Sequence, residues 1–168
     1  SAPDLKPHLI DRFLVAAEQA QIDPVICINK IDLVQPGSLQ PLIGVYAQLG
    51  YEVLQVSATV GLNLPHLHST LRDRATVVVG QSGVGKSSLL NALEPELGLR
   101  VGAVSRDTNK GRHTTTTARL IPLSIGGFIV DTPGIRQFAL WDVAPQEVAG
   151  FFRDIRPLVS RCRFTDCT

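Results

Sequence analysis

The apolar run Ala75 to Val79 passes without a spacer into Gly80-Gln81-Ser82-Gly83-Val84-Gly85-Lys86-Ser87, and Ser88 to Leu93 then reads as helix. A β-branched run such as Thr76-Val77-Val78-Val79 suits a buried parallel strand. The glycines allow a tight backbone wrap that aims successive N–H groups at an anion, and the helix that follows presents its positive end to the same place. The stretch matches G-x-x-x-x-G-K-[ST] in full, between the strand and the helix that the motif needs. It predicts a phosphate-binding loop in which Gly80 to Ser88 surround the phosphates. Lys86 reaches the β- and γ-phosphates as a point charge and the Ser87 hydroxyl ligates Mg²⁺.

The 168 residues fit one ordinary domain, and 44% hydrophobic with 18% charged residues is the balance of a folded core. Sixteen Lys and Arg against fifteen Asp and Glu leave a formal charge of +1, so any RNA partner must be met by a local patch. No stretch has the length and apolarity of a membrane span, and Ser1-Ala2-Pro3-Asp4 does not resemble a signal peptide, which predicts a cytoplasmic protein with no membrane partner. Cys27, inside an apolar strand-like run, is expected to be an inert core thiol. The absence of Met and the position of Cys167 one residue before the end suggest a piece of a longer protein.

Leu9, Ile10, Phe13, Leu14 and Ala17 recur at helical spacing between Pro7 and Ala20, leaving Asp11, Arg12, Glu18 and Gln19 for a solvent face. Val25-Ile26-Cys27-Ile28 fits a strand buried on both faces and ends in Asn29-Lys30-Ile31-Asp32. A helix over Leu39 to Leu49, stopped by Gly50, precedes a strand over Glu52 to Val56 that ends in Ser57-Ala58. Asn63 and Pro65 open the helix that leads into the phosphate-loop strand. Arg100 to Thr117 has no period and gathers Arg100, Arg106, Lys110, Arg112 and His113 against Asp107, which predicts a long basic loop. Leu120 to Leu123 and Phe128 to Val130 flank Gly126-Gly127 as a hairpin, and its second strand delivers Asp131-Thr132-Pro133-Gly134. Pro145 opens a last helix with Val148, Phe151, Phe152 and Ile155 on one face. Alternating strands and helices predict an α/β fold, a mostly parallel sheet with helices on both faces and one antiparallel edge strand.

Each remaining motif sits at the carboxyl end of a predicted strand, where open α/β sheets bind ligands. Asp32 can accept from the N1–H and exocyclic amine of guanine; adenine offers neither and would leave a desolvated carboxylate without its donors. Asn29 is expected to fix the loop and meet the ring's other edge, and the stem of Lys30 to lie over the base. Ser57-Ala58 brings a backbone N–H toward the guanine O6. Asp131 is expected to hold Mg²⁺ through a water and the Gly134 N–H to bind the γ-phosphate. One of Thr114 to Thr117 completes the Mg²⁺ shell in the triphosphate state. GTP, GDP and Mg²⁺ are the ligands these motifs imply.

In Ras-like proteins the phosphate loop comes first; here Asn29 to Asp32 and Ser57-Ala58 precede Gly80, so the P-loop GTPase fold is circularly permuted. Such an order leaves every buried strand in place. The permuted order resembles the ribosome small subunit-dependent GTPase A (RsgA/YjeQ) family. So do the phosphate loop, Lys110-Gly111-Arg112-His113-Thr114-Thr115-Thr116, Asp131-Thr132-Pro133-Gly134-Ile135-Arg136 and Cys162-Arg163-Phe164-x-Asp166-Cys167. The resemblance spans nearly the whole chain. It implies a monomeric GTPase acting in late maturation of the small (30S) ribosomal subunit, with that subunit and its rRNA as partners and as stimulus of hydrolysis. It also implies a GTPase domain over residues 1–160, followed by the start, at 161–168, of a zinc-binding segment in which Cys162 and Cys167 are an incomplete ligand set, two thiolates where structural zinc takes four ligands.

Ile135 stands where Ras-like enzymes carry the glutamine that orients the attacking water, so intrinsic hydrolysis is expected to be slow. The resemblance assigns a catalytic histidine to the motif holding His113, beside Lys86 on the phosphates. The alternative is a nucleotide-gated module whose triphosphate state holds the basic Arg100 to Arg119 stretch in an RNA- or protein-binding form, with incidental hydrolysis. His8, His66 and His68 have no site-like company and are assigned to the surface or to helix packing.

Overall fold

A computed structural model describes residues 4–99, 119–131 and 144–164, with the backbone alone at 119 and 131. In chain order the elements are α1 (Pro7–Gln19), β1 (Val25–Ile28), a 3₁₀ turn (Ile31–Leu33), α2 (Gln40–Gln48), β2 (Glu52–Gln55), α3 (Leu64–Leu71), β3 (Ala75–Val77), α4 (Lys86–Leu93), a 3₁₀ turn (Pro95–Leu97), β4 (Arg119–Pro122), β5 (Phe128–Asp131), a 3₁₀ helix (Pro145–Phe151) and α5 (Arg156–Val159). Strands and helices alternate through β3 and α4, so the predicted α/β pattern holds. Proline in the first turn starts α1, α2 and α3, where its missing N–H has no intrahelical partner to lose.

Among the described residues the strands form two sheets, one of β1 with β2 and one in the order β3-β5-β4. β5 is parallel to β3 and antiparallel to β4. The β4–β5 hairpin turns through Gly126 and Gly127, both at positive φ (82° and 80°). A Cβ on Gly127 would lie 2.3 Å from the Arg74 carbonyl oxygen, so β5 can start beside β3 only with glycine there. β3 is therefore an edge strand with Val77 39% exposed, not the buried strand its composition predicts. β1 also departs from expectation. Ile26 and Ile28 are buried but Cys27 between them is exposed, so the strand buries one face and Cys27 lies outside the core; the surrounding protein still desolvates its thiol and pushes its pKa up to about 11, which keeps it inert as expected.

The chain divides into two compact units, residues 1–4, 27–38 and 54–137, and residues 5–26, 39–53 and 138–168. The first has Ile28, Leu54, Val56, Leu67, Leu89, Leu123 and Ile129 as its core. The second buries Leu14, Val15, Ala16, Ile26, Tyr46 and Tyr51. There Asp11 and Glu18 do not lie on the free solvent face predicted for them. Asp11 accepts from the Tyr46 hydroxyl (2.8 Å), and Glu18 accepts from Arg153 Nε (2.6 Å) and an Arg156 guanidinium nitrogen (2.7 Å). The expected last helix is instead the 3₁₀ helix Pro145–Phe151 followed by α5, because Gly150 weakens the first segment and Pro157 can only restart a helix, not continue one.

Candidate functional site

The phosphate-loop motif lies in the first unit and joins β3 to α4, whose first two residues are Lys86 and Ser87. Gly85 is the helix N-cap at φ 94°, and no side chain caps the first turn. Two constraints coincide at Gly85. Its φ is left-handed, and a Cβ there would stand 2.5 Å from Asn29 Nδ2 and 3.6 Å from Lys30 Cε. Gly80 (φ 150°) and Gly83 (φ 85°) supply the other bends. Lys86 folds back over the loop and donates from Nζ to the carbonyl oxygens of Gly80 (2.7 Å) and Gln81 (3.0 Å), which fixes the ammonium group at the centre of the wrap.

The Asn29 to Asp32 segment, far away in sequence, is tied to this loop. Asn29 Nδ2 donates to the Val84 carbonyl (3.1 Å) while its Oδ1 accepts from the Ala58 N–H (3.1 Å), so one amide bridges the phosphate loop and the end of β2. Lys30 adopts a left-handed backbone (φ 66°) that turns its stem toward the loop, and its Nζ donates to the Gly83 carbonyl at 2.7 Å. Asp32 sits in the 3₁₀ turn, where its Oδ1 accepts from the Ser57 hydroxyl, and Ser57 Oγ accepts from the Val60 N–H (3.3 Å). Ser57 is completely buried, so this bond holds the Asp32 carboxylate from the protein side. Main-chain bonds from Val56 to the Ile28 carbonyl (2.9 Å) and from Ile31 to the Val56 carbonyl (3.3 Å) align the two segments.

The residues fit a purine nucleotide. A carboxylate offers about four acceptor sites, so Asp32 keeps acceptors for one ring N–H and one exocyclic amine after bonding Ser57. The Ala58 N–H, expected to face the base, donates to Asn29 here, so Asn29 and Ala58 meet any ligand as one hydrogen-bonded unit. Asp131 ends β5; the parallel pairing of Val130 with Val77 sets its backbone beside Val78, shortly before Gly80. Ser87 lies in the first turn of α4 and Asp131 closes the adjacent strand β5; hydroxyl and carboxylate are the hard oxygen donor types that Mg²⁺ takes. Among the described residues no group of three or more His, Cys, Asp or Glu is arranged to hold a metal. Cys162 is exposed. Cys167, His113, Thr114 to Thr117, Gly134 and Ile135 lie outside the described residues.

Sequence reasoning reached the members of this site but not its wiring. The Ser57 hydroxyl as a support for Asp32 was missed, and the available signal was a lone small hydroxyl at the end of a strand with apolar neighbours.

The model of the RsgA GTPase family matches residues 1–141. A Marinobacter nauticus protein described as small ribosomal subunit biogenesis GTPase RsgA is 50% identical, covering 99% of this chain and 49% of its own length. A Pseudomonas aeruginosa protein of the same description is 48% identical, over 99% of this chain and 50% of its own. The crystal structure of YjeQ from Thermotoga maritima matches with a TM-score of 0.74 at 35% identity, over 92% of this chain and 51% of that one. YloQ, described as a circularly permuted GTPase, matches at 0.68 and 36% identity, over 98% and 52%. The chain thus spans about half the length of the relatives it matches. With its base-motif segment preceding the phosphate loop, and with the fold of a circularly permuted GTPase, the chain belongs to the RsgA GTPase family.

Proposed function

We infer that residues 1–160 are the GTPase domain of a longer cytoplasmic, monomeric protein that hydrolyses GTP to GDP and phosphate during late maturation of the small ribosomal subunit, with that subunit and its rRNA as partners and stimulus. The observation that carries this reading is the Asn29 bridge, which joins the guanine motif to the phosphate loop in one site. The names of the relatives, small ribosomal subunit biogenesis GTPases, point to the same process.

In this reading the N–H groups of the loop Gly80 to Ser88 and the amino end of α4 bind the β- and γ-phosphates, and Lys86 neutralises part of their charge. Asp32, steadied by Ser57, accepts from guanine, Lys30 covers the base, and Asn29 holds base segment and loop at a constant distance. Ser87 and Asp131 would hold Mg²⁺, which would offset charge on the phosphate oxygens. Gly134 contacts the γ-phosphate, and one of Thr114 to Thr117 would complete the Mg²⁺ shell in the triphosphate state. His113 orients water, whose oxygen bonds to the γ-phosphorus as the bond to the bridging oxygen breaks; GDP departs with that electron pair, and the water's proton passes to the released phosphate or to solvent. Ile135 cannot orient water, so the unstimulated rate is low. Residues 161–168 begin a zinc-binding segment in which Cys162 and Cys167 are two of four ligands.

Multiple-turnover GTP hydrolysis by the full-length protein, with and without 30S subunits, tests this. Stimulated turnover that collapses in His113→Ala is expected. Nucleotide binding with no stimulated hydrolysis would instead leave the nucleotide-gated binding module.

A further inference from the structure

The carboxyl end of α4 makes contacts that phosphate binding does not use. Asn91 lies inside the helix, a place where asparagine is a poor choice because its amide competes with the backbone. Here the amide is engaged elsewhere. Its Nδ2 donates to the Leu99 carbonyl (2.7 Å) and its Oδ1 accepts from the Leu99 N–H (2.8 Å), so the side chain pairs with residue 99 as a strand would. Gly98, at φ 54°, turns the chain back to make this possible. Three residues on, Glu94 is 8% exposed, and its Oε1 accepts from both the Ser124 N–H (2.9 Å) and the Ser124 hydroxyl (2.8 Å) in the turn of the β4–β5 hairpin.

These bonds fix two points on either side of the stretch that carries His113. Leu99 is the last described residue before it, and the hairpin is the first element after it. The hairpin also carries Asp131 at the end of β5. One helix about 12 Å long thus begins with Lys86 and Ser87 and ends by holding both flanks of that stretch.

We propose that Asn91 and Glu94 are positioning residues for GTP hydrolysis, acting through Leu99 and the β4–β5 hairpin, not by touching the nucleotide. The proposal rests on the functional reading above. It predicts a separation of turnover from binding, since the hydrogen bonds of these side chains go to Leu99 and Ser124 and not to the phosphate loop.

The test uses the full-length protein with 30S subunits. Asn91→Ala is expected to lower stimulated kcat by about 10-fold or more while GDP affinity stays within about twofold, a loss that two part-buried hydrogen bonds can supply. Asn91→Asp, which keeps the acceptor and loses the donor, should not rescue turnover. Ser124→Ala keeps the main-chain bond to Glu94 and should give a smaller loss in the same direction. Amide exchange at Leu99, read without any catalysis, should speed up in Asn91→Ala. Unchanged kcat in a folded Asn91→Ala protein would overturn the proposal, and so would equal losses in kcat and GDP affinity. Wild-type protein without GTP hydrolysis would remove the functional reading and this inference together, which separates that failure from a failure of the inference alone.

Discussion

Lys30 and Lys86 in the first unit, and Arg153 and Arg156 in the second, are all held by hydrogen bonds, but to different acceptors. The two lysines donate to main-chain carbonyls of the glycine-rich loop, at 2.7 to 3.0 Å. Both arginines converge on Glu18, at 2.6 and 2.7 Å. Arg153 also donates to the Leu49 and Gly50 carbonyls and stacks 4.0 Å above the Tyr51 ring. A carbonyl fixes the position of an ammonium group without itself cancelling the charge. A carboxylate between two guanidinium groups cancels one of their two charges and gives a join between chain segments instead. Burial alone would raise the Glu18 pKa; the hydrogen bonds and charges of Arg156 and Arg153 outweigh it and hold the carboxyl below its ordinary value. One arrangement suits a ligand, and the other suits a brace between α1 and the carboxyl-terminal segment of the second unit.

Substitutions can break this contrast, and the largest effect is expected at Gly85. Gly85→Ala forces a left-handed alanine against Asn29 Nδ2 and should weaken GDP binding by at least about 100-fold, about 2.7 kcal/mol, in a fluorescent-GDP titration. Asn29→Ala leaves the Val84 carbonyl and the Ala58 N–H without their shared partner. GDP affinity should fall by about 10- to 100-fold in the same assay, with less effect on melting. Arg153→Ala should do the reverse. Loss of its bonds to Glu18 and Gly50 should cost about 1.5 kcal/mol of stability, a fall in Tm of about 3 to 6 °C by calorimetry, with GDP affinity within about twofold. The smallest effect is a pH dependence. Because the folded-state pKa of Glu18 lies below its ordinary 4.5, its stabilisation is complete above that value and is lost as pH falls through the lowered one. Glu18→Gln should flatten this part of an acid-unfolding curve and leave the slope at neutral pH unchanged.

The same contrast explains what could be read before any coordinates. Local signals were legible: a proline in the first turn marks α1, α2 and α3, and Gly126-Gly127 between two apolar runs marks the hairpin. The phosphate loop was legible because backbone geometry dictates its residue types. That Asn29 fixes the loop was legible too, but its partners, the Val84 carbonyl fifty-five positions away and the Ala58 N–H, were not, because nothing in either segment names the other. Nor was the exposure of Cys27 and Val77, since burial of an apolar strand depends on what packs over it. The same holds for Glu18, which reads as a solvent-face carboxylate until Arg153, one hundred and thirty-five positions later, meets it. The catalytic assignment of His113 comes from the family resemblance, and that of Gly134 to the γ-phosphate from its place in Asp131-x-x-Gly134.

The central claim is that Asp32 and Lys86 serve one guanine nucleotide across the permuted order of the chain. Equilibrium binding of GDP and of ADP to the same preparation tests it most directly. GDP should bind at least about 100-fold more tightly, because adenine leaves the Asp32 carboxylate without its donors. Equal affinities for the two nucleotides would contradict the claim.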